Sequence, residues 1–206
     1  MRSSAASDVY KRQGYEEDGA TLLAHLEKIV QYNVQSSDKE KFDGVMLDIE
    51  PYISDSWKEN PEEYMDRYIS CMKKGYKFAQ KNHLRTAICI PRHYDNQGLT
   101  SGLEELIKET CDEVAVMNYS CGNEIEAIRT EAALSEKYGK ELHCILEFQE
   151  VGKHGLTENK TYRNKGIDNA KETWEKLQKE YKNINVTRDY HWSRPVREML
   201  EEKNAD

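Results

Sequence analysis

An α/β fold built on a parallel sheet is predicted by three observations. Helical and strand patterns alternate along the whole chain. The strands are short apolar runs containing β-branched residues. Several of them finish in polar or aromatic groups rather than in tight hairpin signals. From Thr21 to about Val34, Leu22, Leu23, Leu26, Ile29 and Val30 recur at helical spacing. Phe42 then opens FDGVMLDIE, an apolar run ending in two carboxylates, which reads as a buried strand. Asn60-Pro61-Glu62-Glu63 has the chemistry of a helix start: Asn as N-cap, Pro at the first position and Glu three residues after the cap. That helix extends to about Asn82, with Tyr64, Tyr68, Met72 and Tyr76 four apart on one face. RTAICIP, residues 85–91, is the next strand.

The same alternation continues. A short helix around residues 103–109 precedes the strand EVAVMNY (113–119), and a helix from about Glu124 to Tyr138 precedes ELHCILEF (141–148). A polar loop through Gly152 and Gly155 leads to a helix near 166–181, then to INVTRDYHW (184–192) and a last helix after Pro195. No G-x-G-x-x-G or G-x-x-x-x-G-K-[ST] follows any strand, so a nucleotide-binding doubly wound sheet lacks its usual fingerprint. Strand ends carry Asp48/Glu50, Arg92/His93, Asn118/Tyr119, Glu147/Gln149 and His191/Trp192. In a (β/α)8 barrel the carboxyl ends of the strands build the active site. The reading is therefore an α/β fold comprising the C-terminal portion, about five of eight βα units, of a (β/α)8 TIM barrel.

Composition bounds the function. The 206 residues hold 30 basic and 38 acidic side chains, a net charge of −8, the wrong sign for a nucleic-acid groove or an anionic membrane surface. No apolar run approaches the ~20 residues of a membrane span. Thirteen Tyr, three Trp and three Phe supply core material that disordered chains lack. Five cysteines, Cys71, Cys89, Cys111, Cys121 and Cys144, are an odd number with no C-x-x-C pair, which argues against a disulfide framework or a zinc ribbon. Cys111 and Cys121 bracket a strand and are poor disulfide partners, and Cys89 and Cys144 read as small core residues. The opening MRSSAASDVYKRQ has no apolar h-region. Its last six residues back-translate to GAT GTG TAT AAG AGA CAG, similar to a transposon mosaic end used in sequencing adapters. Residues 1–13 are accordingly read as non-native, against the alternative of a short disordered arm, and 14–206 as the partial barrel.

The carboxylate strand carries the chemistry. Alternation puts Met46, Asp48 and Glu50 on one face and Val45, Leu47 and Ile49 on the other, which packs under helices. Two carboxylates roughly 7 Å apart on one face are costly to bury unless paired or functional. Like-charge proximity raises one pKa, which keeps a carboxyl protonated as a general acid. The bland reading is an Asp/Glu pair at a strand end bonded to Arg or backbone groups.

FDGVMLDIE, residues 42–50, resembles the D-G-x-D-x-D-x-E strand of glycoside hydrolase family 18, the chitinases and endo-N-acetylglucosaminidases, matching at Asp43, Gly44, Asp48 and Glu50. VMNYS, residues 116–120, is similar to the family's M-x-Y-D strand at Met117 and Tyr119, and Trp192 sits where the family keeps a tryptophan under the sugar. The resemblance covers residues 42–192. It implies that Glu50 protonates the glycosidic oxygen, that Asp48 orients the substrate acetamido group, that Tyr119 hydrogen-bonds its carbonyl, and that Trp192 carries the sugar's apolar face. A conventional mechanism with Glu147 as second carboxylate stays open beside this substrate-assisted one. Met46 stands where the motif has its middle Asp, and Ser120 where an Asp follows the tyrosine. Both departures point to a divergent relative.

The site set is thus Glu50, Asp48 and Tyr119 as catalytic, with Trp192, Asn118, Met46, Glu147, His93 and Gln149 toward the substrate. Tyr94 is weighed with His93 against a solvated loop. His191 is read as structural, on the opposite strand face from Trp192. The Lys/Glu-rich tract from Lys171 to Lys182 reads as the solvated face of an outer helix. No H-x-H or H-E-x-x-H spacing appears, so no metal or other cofactor is expected. The partner is a carbohydrate, with no nucleic acid. Two further readings accompany hydrolysis: a carbohydrate-binding barrel that has lost catalysis, favoured by Met46 and Ser120, and a barrel holding a divalent metal at its acidic strand ends. The full-length protein is expected to be a secreted or cell-surface monomer. The partial barrel by itself, with an open sheet edge, is expected to be poorly soluble and inactive.

Overall fold

The computed structural model describes residues 19–205, with side chains through 202. The segment 1–13 read as adapter-derived lies outside them. Five strands are separated by helical segments among the described residues, as the periodicities predict, with eight α-helices where six were expected. The sheet order is β1-β2-β3-β4-β5, the order of the chain itself. β1 (Gly44–Asp48) pairs in parallel with β2 (Arg85–Pro91), and β4 (Glu141–Glu147) with β5 (Val186–His191). Successive βα units of a barrel add strands in this way, whereas a doubly wound sheet reverses its order part-way across. The fold is α/β, and its strand order is that of consecutive barrel units.

The chain divides after Val114 into two compact units. The first contains α1 (Ala20–Gln35), β1, α2 (Asp55–Glu59), α3 (Pro61–Lys81), β2, α4 (Thr100–Thr110) and the start of β3 (Glu113–Met117). Its core sets Leu22 and Leu26 of α1, Met65, Tyr68, Ile69 and Met72 of α3, and Leu103, Leu106 and Ile107 of α4 around the fully apolar run Ala87–Ile90. The second contains the rest of β3, α5 (Glu124–Ala127), α6 (Arg129–Tyr138), β4, α7 (Ile167–Glu180), β5 and α8 (Ser193–Ala205). Here Leu142, Cys144 and Leu146 of β4 and Trp174 and Leu177 of α7 are buried, and the Trp174 Nε1–H donates to the Cys144 carbonyl at 3.1 Å.

Local chemistry departs from expectation in four places. Asn60 precedes α3 as anticipated, but its side chain makes no capping hydrogen bond; Pro61 opens the helix, and Glu62 and Glu63 place negative charge in its first turn. A short helix, α2, forms from Asp55, where the Ser54 hydroxyl accepts from the Trp57 N–H at 3.2 Å. The helix expected over 124–138 is two helices, because Ile128 leaves the helical region (φ −125°, ψ 19°). β1 ends at Asp48, so Glu50 stands just beyond it, where its carbonyl accepts from the Ile53 N–H of a 3-10 turn.

All five cysteines are free, and four are buried; Cys121 is half-buried. No helix among the described residues is long and apolar enough to cross a membrane.

Candidate functional site

The first unit builds its site on the carboxyl ends of β1 and β2. Leu47 and Ile49 are buried while Asp48 is exposed and Glu50 half-buried, so strand alternation turns the two carboxylates away from the helical layer. Asp48 is therefore solvated, and the desolvation cost anticipated for a buried carboxylate pair does not arise at it. The Tyr52 hydroxyl donates to Glu50 Oε1. Burial, then the hydrogen bond and charge of Glu50, with smaller contributions from Tyr94 and Asp48, push that phenol far above its ordinary 10. It thus stays a proton donor to Glu50 at any working pH. The Tyr52 ring meets His93 edge-on at 5.2 Å and Tyr94 at 6.1 Å, and Trp57 packs on Tyr94 at 5.5 Å.

These rings come from three segments. Tyr52 lies in the turn after β1, Trp57 is the buried residue of α2, and His93 and Tyr94 follow the proline that ends β2. His93 is half-buried. Burial, together with the Arg92 charge, lowers its imidazole, with Asp95 opposing. Tyr94 is fully buried, a core aromatic under the carboxylate rather than an exposed loop residue. Met46, half-buried in mid-strand, pairs with Ala87.

The second unit builds its own polar cluster at the carboxyl ends of β4 and β5. Glu147 is buried, with 2% of its surface exposed, and opposes His191 in the parallel register. Its Oε1 accepts from the backbone N–H groups of Phe148 (2.8 Å) and Gln149 (2.7 Å). Its Oε2 pairs with His191 Nδ1 (2.8 Å) and accepts from Gln149 Nε2 (3.2 Å). Burial alone raises this carboxyl, but the His191 and Gln149 hydrogen bonds and the His191 charge outweigh it and hold the group below its usual 4.5. The His191 ring lies 6.1 Å from that of Tyr119, and Trp192 follows with 47% of its surface exposed.

One step lower on the same face, His143 Nδ1 pairs with Asp189 Oδ2 at 2.8 Å. Two His–carboxylate pairs therefore cross between β4 and β5 in opposite senses. Asn118 is buried, its amide donating to the Glu124 carbonyl (2.9 Å) and to Cys144 Sγ (3.5 Å), so its N–H groups serve the packing of this unit.

The predicted residues thus fall into two groups: Asp48, Glu50, Met46 and His93 in the first unit, and Tyr119, Asn118, Glu147, Gln149 and Trp192 in the second. Three neighbours escape the sequence reading. Tyr52 and Trp57 carry only their aromatic character as a signal, Tyr52 lying two residues after Glu50. His191 is placed by strand alternation on the face opposite Trp192, yet cross-strand register sets it against Glu147.

No family model matches the chain, and no curated protein matches it. Among solved structures, catalytic domain 2 of a Group II chitinase from Ostrinia furnacalis is similar over 65% of this chain and 41% of its own length, at 14% identity and a TM-score of 0.40. The chain spans about two-fifths of the length of that domain's chain.

Proposed function

We propose that this chain belongs to an enzyme that hydrolyses glycosidic bonds in a polysaccharide or glycan, with Glu50 as general acid. One observation carries the reading: a half-buried carboxylate at the carboxyl end of a parallel strand, held at one oxygen by a phenol that does not ionise, beside a group of aromatic rings. The Tyr52 hydrogen bond orients Glu50 through Oε1 and leaves Oε2 to carry the transferable proton. That proton passes to the glycosidic oxygen as the bond to the anomeric carbon breaks, and the leaving sugar departs as an alcohol. The substrate's own acetamido carbonyl oxygen bonds the anomeric carbon; water then displaces it there and returns a proton to Glu50. Aromatic side chains suit a sugar, whose C–H faces are apolar and whose edges are polar.

By the family resemblance, Asp48 orients an acetamido group and Tyr119 bonds its carbonyl where the sugar is N-acetylated. Trp192, Met46, His93 and Gln149 are the remaining proposed contacts, whereas Asn118 and Glu147 are buried with their polar groups engaged inside the second unit. Changing Glu50→Gln keeps the Tyr52 hydrogen bond and removes the acid. In the full-length protein, turnover of aryl glycosides of N-acetylglucosamine oligomers should fall on the order of 10²–10⁴-fold, with circular dichroism and oligosaccharide binding unchanged. Turnover equal to wild type would remove Glu50 from the role.

Met46 and Ser120, which replace the acidic positions of the resembled motifs, favour a second reading: a carbohydrate-binding barrel without catalysis. Calorimetric binding of an oligosaccharide with no product from the unaltered full-length protein supports that reading, and measurable product excludes it.

A further inference from the structure

We propose that a cleft within the second unit binds a free amino acid, with Glu124 receiving its ammonium group and Lys165 and Lys176 its carboxylate. The proposal goes beyond the carbohydrate reading and does not rest on it. The cleft, about 730 Å³, lies between residues 121–126, which follow β3, and the segment from Tyr162 into α7. That volume is within the range of small-molecule sites.

Glu124 supplies the anchor. Only 7% of its surface is exposed, and no cationic side chain among the described residues pairs with it. Its Oε1 accepts from the Gly122 N–H at 2.8 Å and from the Tyr162 hydroxyl. Both donors are neutral, and Oε2 accepts no hydrogen bond among the described residues. A buried carboxylate is ordinarily paired with a cation, so the open oxygen calls for a positive donor from outside the chain. The hydroxyls beside it run in one direction. Tyr162 gives its proton to Glu124, and its oxygen lies 2.8 Å from Thr173 Oγ1, so Thr173 is the donor of that pair. Burial first, then the Glu124 hydrogen bond, raises the Tyr162 phenol well above its ordinary 10 and keeps the proton on it. With both hydroxyl protons committed, Glu124 Oε2 and Thr173 Oγ1 present only acceptor lone pairs. An ammonium group, all donors and no acceptor, is their complement.

The opposite charge lines the same cleft. Lys165 and Lys176 are exposed, and neither is paired with a carboxylate among the described residues. Of the other carboxylates in the lining, Glu126 is engaged with Arg129, and Glu180 is exposed at the end of α7. One open carboxylate oxygen and two unpaired ammonium groups match a zwitterion, whereas a simple amine or a simple anion satisfies one set and leaves the other. Ile125, half-buried in the lining, gives an apolar surface for the ligand's side chain.

Calorimetry on the full-length protein tests this with the twenty common L-amino acids as probes, then with the N-acetyl and carboxamide forms of the tightest binder. Each modification removes one of the two charges and should weaken binding to wild type roughly tenfold or more, the worth of a hydrogen bond to a charged group. Glu124→Gln keeps an acceptor for Gly122 and Tyr162 and removes the charge. It should cost the free amino acid a similar factor while leaving the N-acetyl form bound as in wild type. Lys165→Met combined with Lys176→Met should weaken the free amino acid likewise and spare the carboxamide. Binding of none of the twenty at millimolar concentration overturns the proposal. An N-acetyl form that binds wild type as tightly as the free amino acid overturns the ammonium assignment without recourse to any variant, and so does unchanged affinity in Glu124→Gln. A carboxamide bound as tightly as the free amino acid, or unchanged affinity in the double lysine variant, overturns the carboxylate assignment.

Discussion

His93, whose ring meets that of Tyr52, shows how a single side chain ties the site to stability. Its imidazole is lowered from 6.5, chiefly by burial and further by Arg92. Below pH 6.5 the unfolded chain takes up a proton there that the folded chain accepts only at lower pH. The unfolded state then binds more protons, so this residue makes stability rise with pH over that interval. The urea midpoint should therefore be lower at pH 5.5 than at pH 7.5, and His93→Gln should reduce the difference; an equal difference in the variant would count against the burial argument. Glu147 contributes at a lower range. Its carboxyl lies below 4.5, so its share of stability is present above that pH and is lost as the pH falls through the folded value.

At the scale of elements, close helix and strand approach depends on missing side-chain atoms. A Cβ at Gly44 of β1 would lie 2.8 Å from the Arg85 carbonyl oxygen, so the β1–β2 pairing leaves no room there. A Cβ at Gly75 of α3 would lie 2.5 Å from Leu22 Cδ2 of α1. Gly to Ala in a helix interior ordinarily gains about 0.5–1 kcal/mol, but forcing a methyl into a packed contact costs about 1–3 kcal/mol. Gly75→Ala should accordingly destabilise the protein by roughly 1 kcal/mol in urea unfolding. Combined with Leu22→Ala it should cost less than the two losses added, because the methyl then enters the space the leucine leaves. A stabilised Gly75→Ala would mean that α1 yields to it. Opposite chemistry holds β4 to β5, where the crossing pairs His143–Asp189 and His191–Glu147 sit on one sheet face. Alternation predicts which residues share a face of one strand, but only the register says which residues meet across two.

For the whole molecule, the odd cysteine count and the absence of C-x-x-C argue against a disulfide framework, and all five thiols are free. Cys71, Cys89, Cys111 and Cys144 are buried, and burial raises the half-buried Cys121 thiol to about 11. At pH 8 Cys121 is then thiolate in about one molecule in a thousand. Folded protein should react with a thiol reagent slowly and at one site at most, and protein in denaturant rapidly at five. Rapid native labelling would place a cysteine in a different environment. The order of the five strands and the longer helices was legible, because the 3.6 and 2 periodicities of Leu22–Val30 or Arg85–Pro91 are written in adjacent residues. Helix α2 and the break at Ile128 were not, since a five-residue helix and one residue's torsions leave no periodic trace. Asp48 and Glu50 were legible as a pair from their spacing, whereas the Tyr52 hydrogen bond depends on the turn that brings the phenol back.

From residue order alone come the α/β class, the succession of helices and strands, the acidic charge and the position of Asp48 and Glu50 at the end of a strand. These are local properties, fixed by patterns within a few residues or by counting. Tertiary structure decided which groups those carboxylates meet. It buried Tyr94, turned Asn118 inward to the Glu124 carbonyl, and set Glu147 against His191 across 44 residues of chain. Hydrogen bonds reach about 3 Å, and contacts of that range between distant residues exist only once the strands have chosen their register.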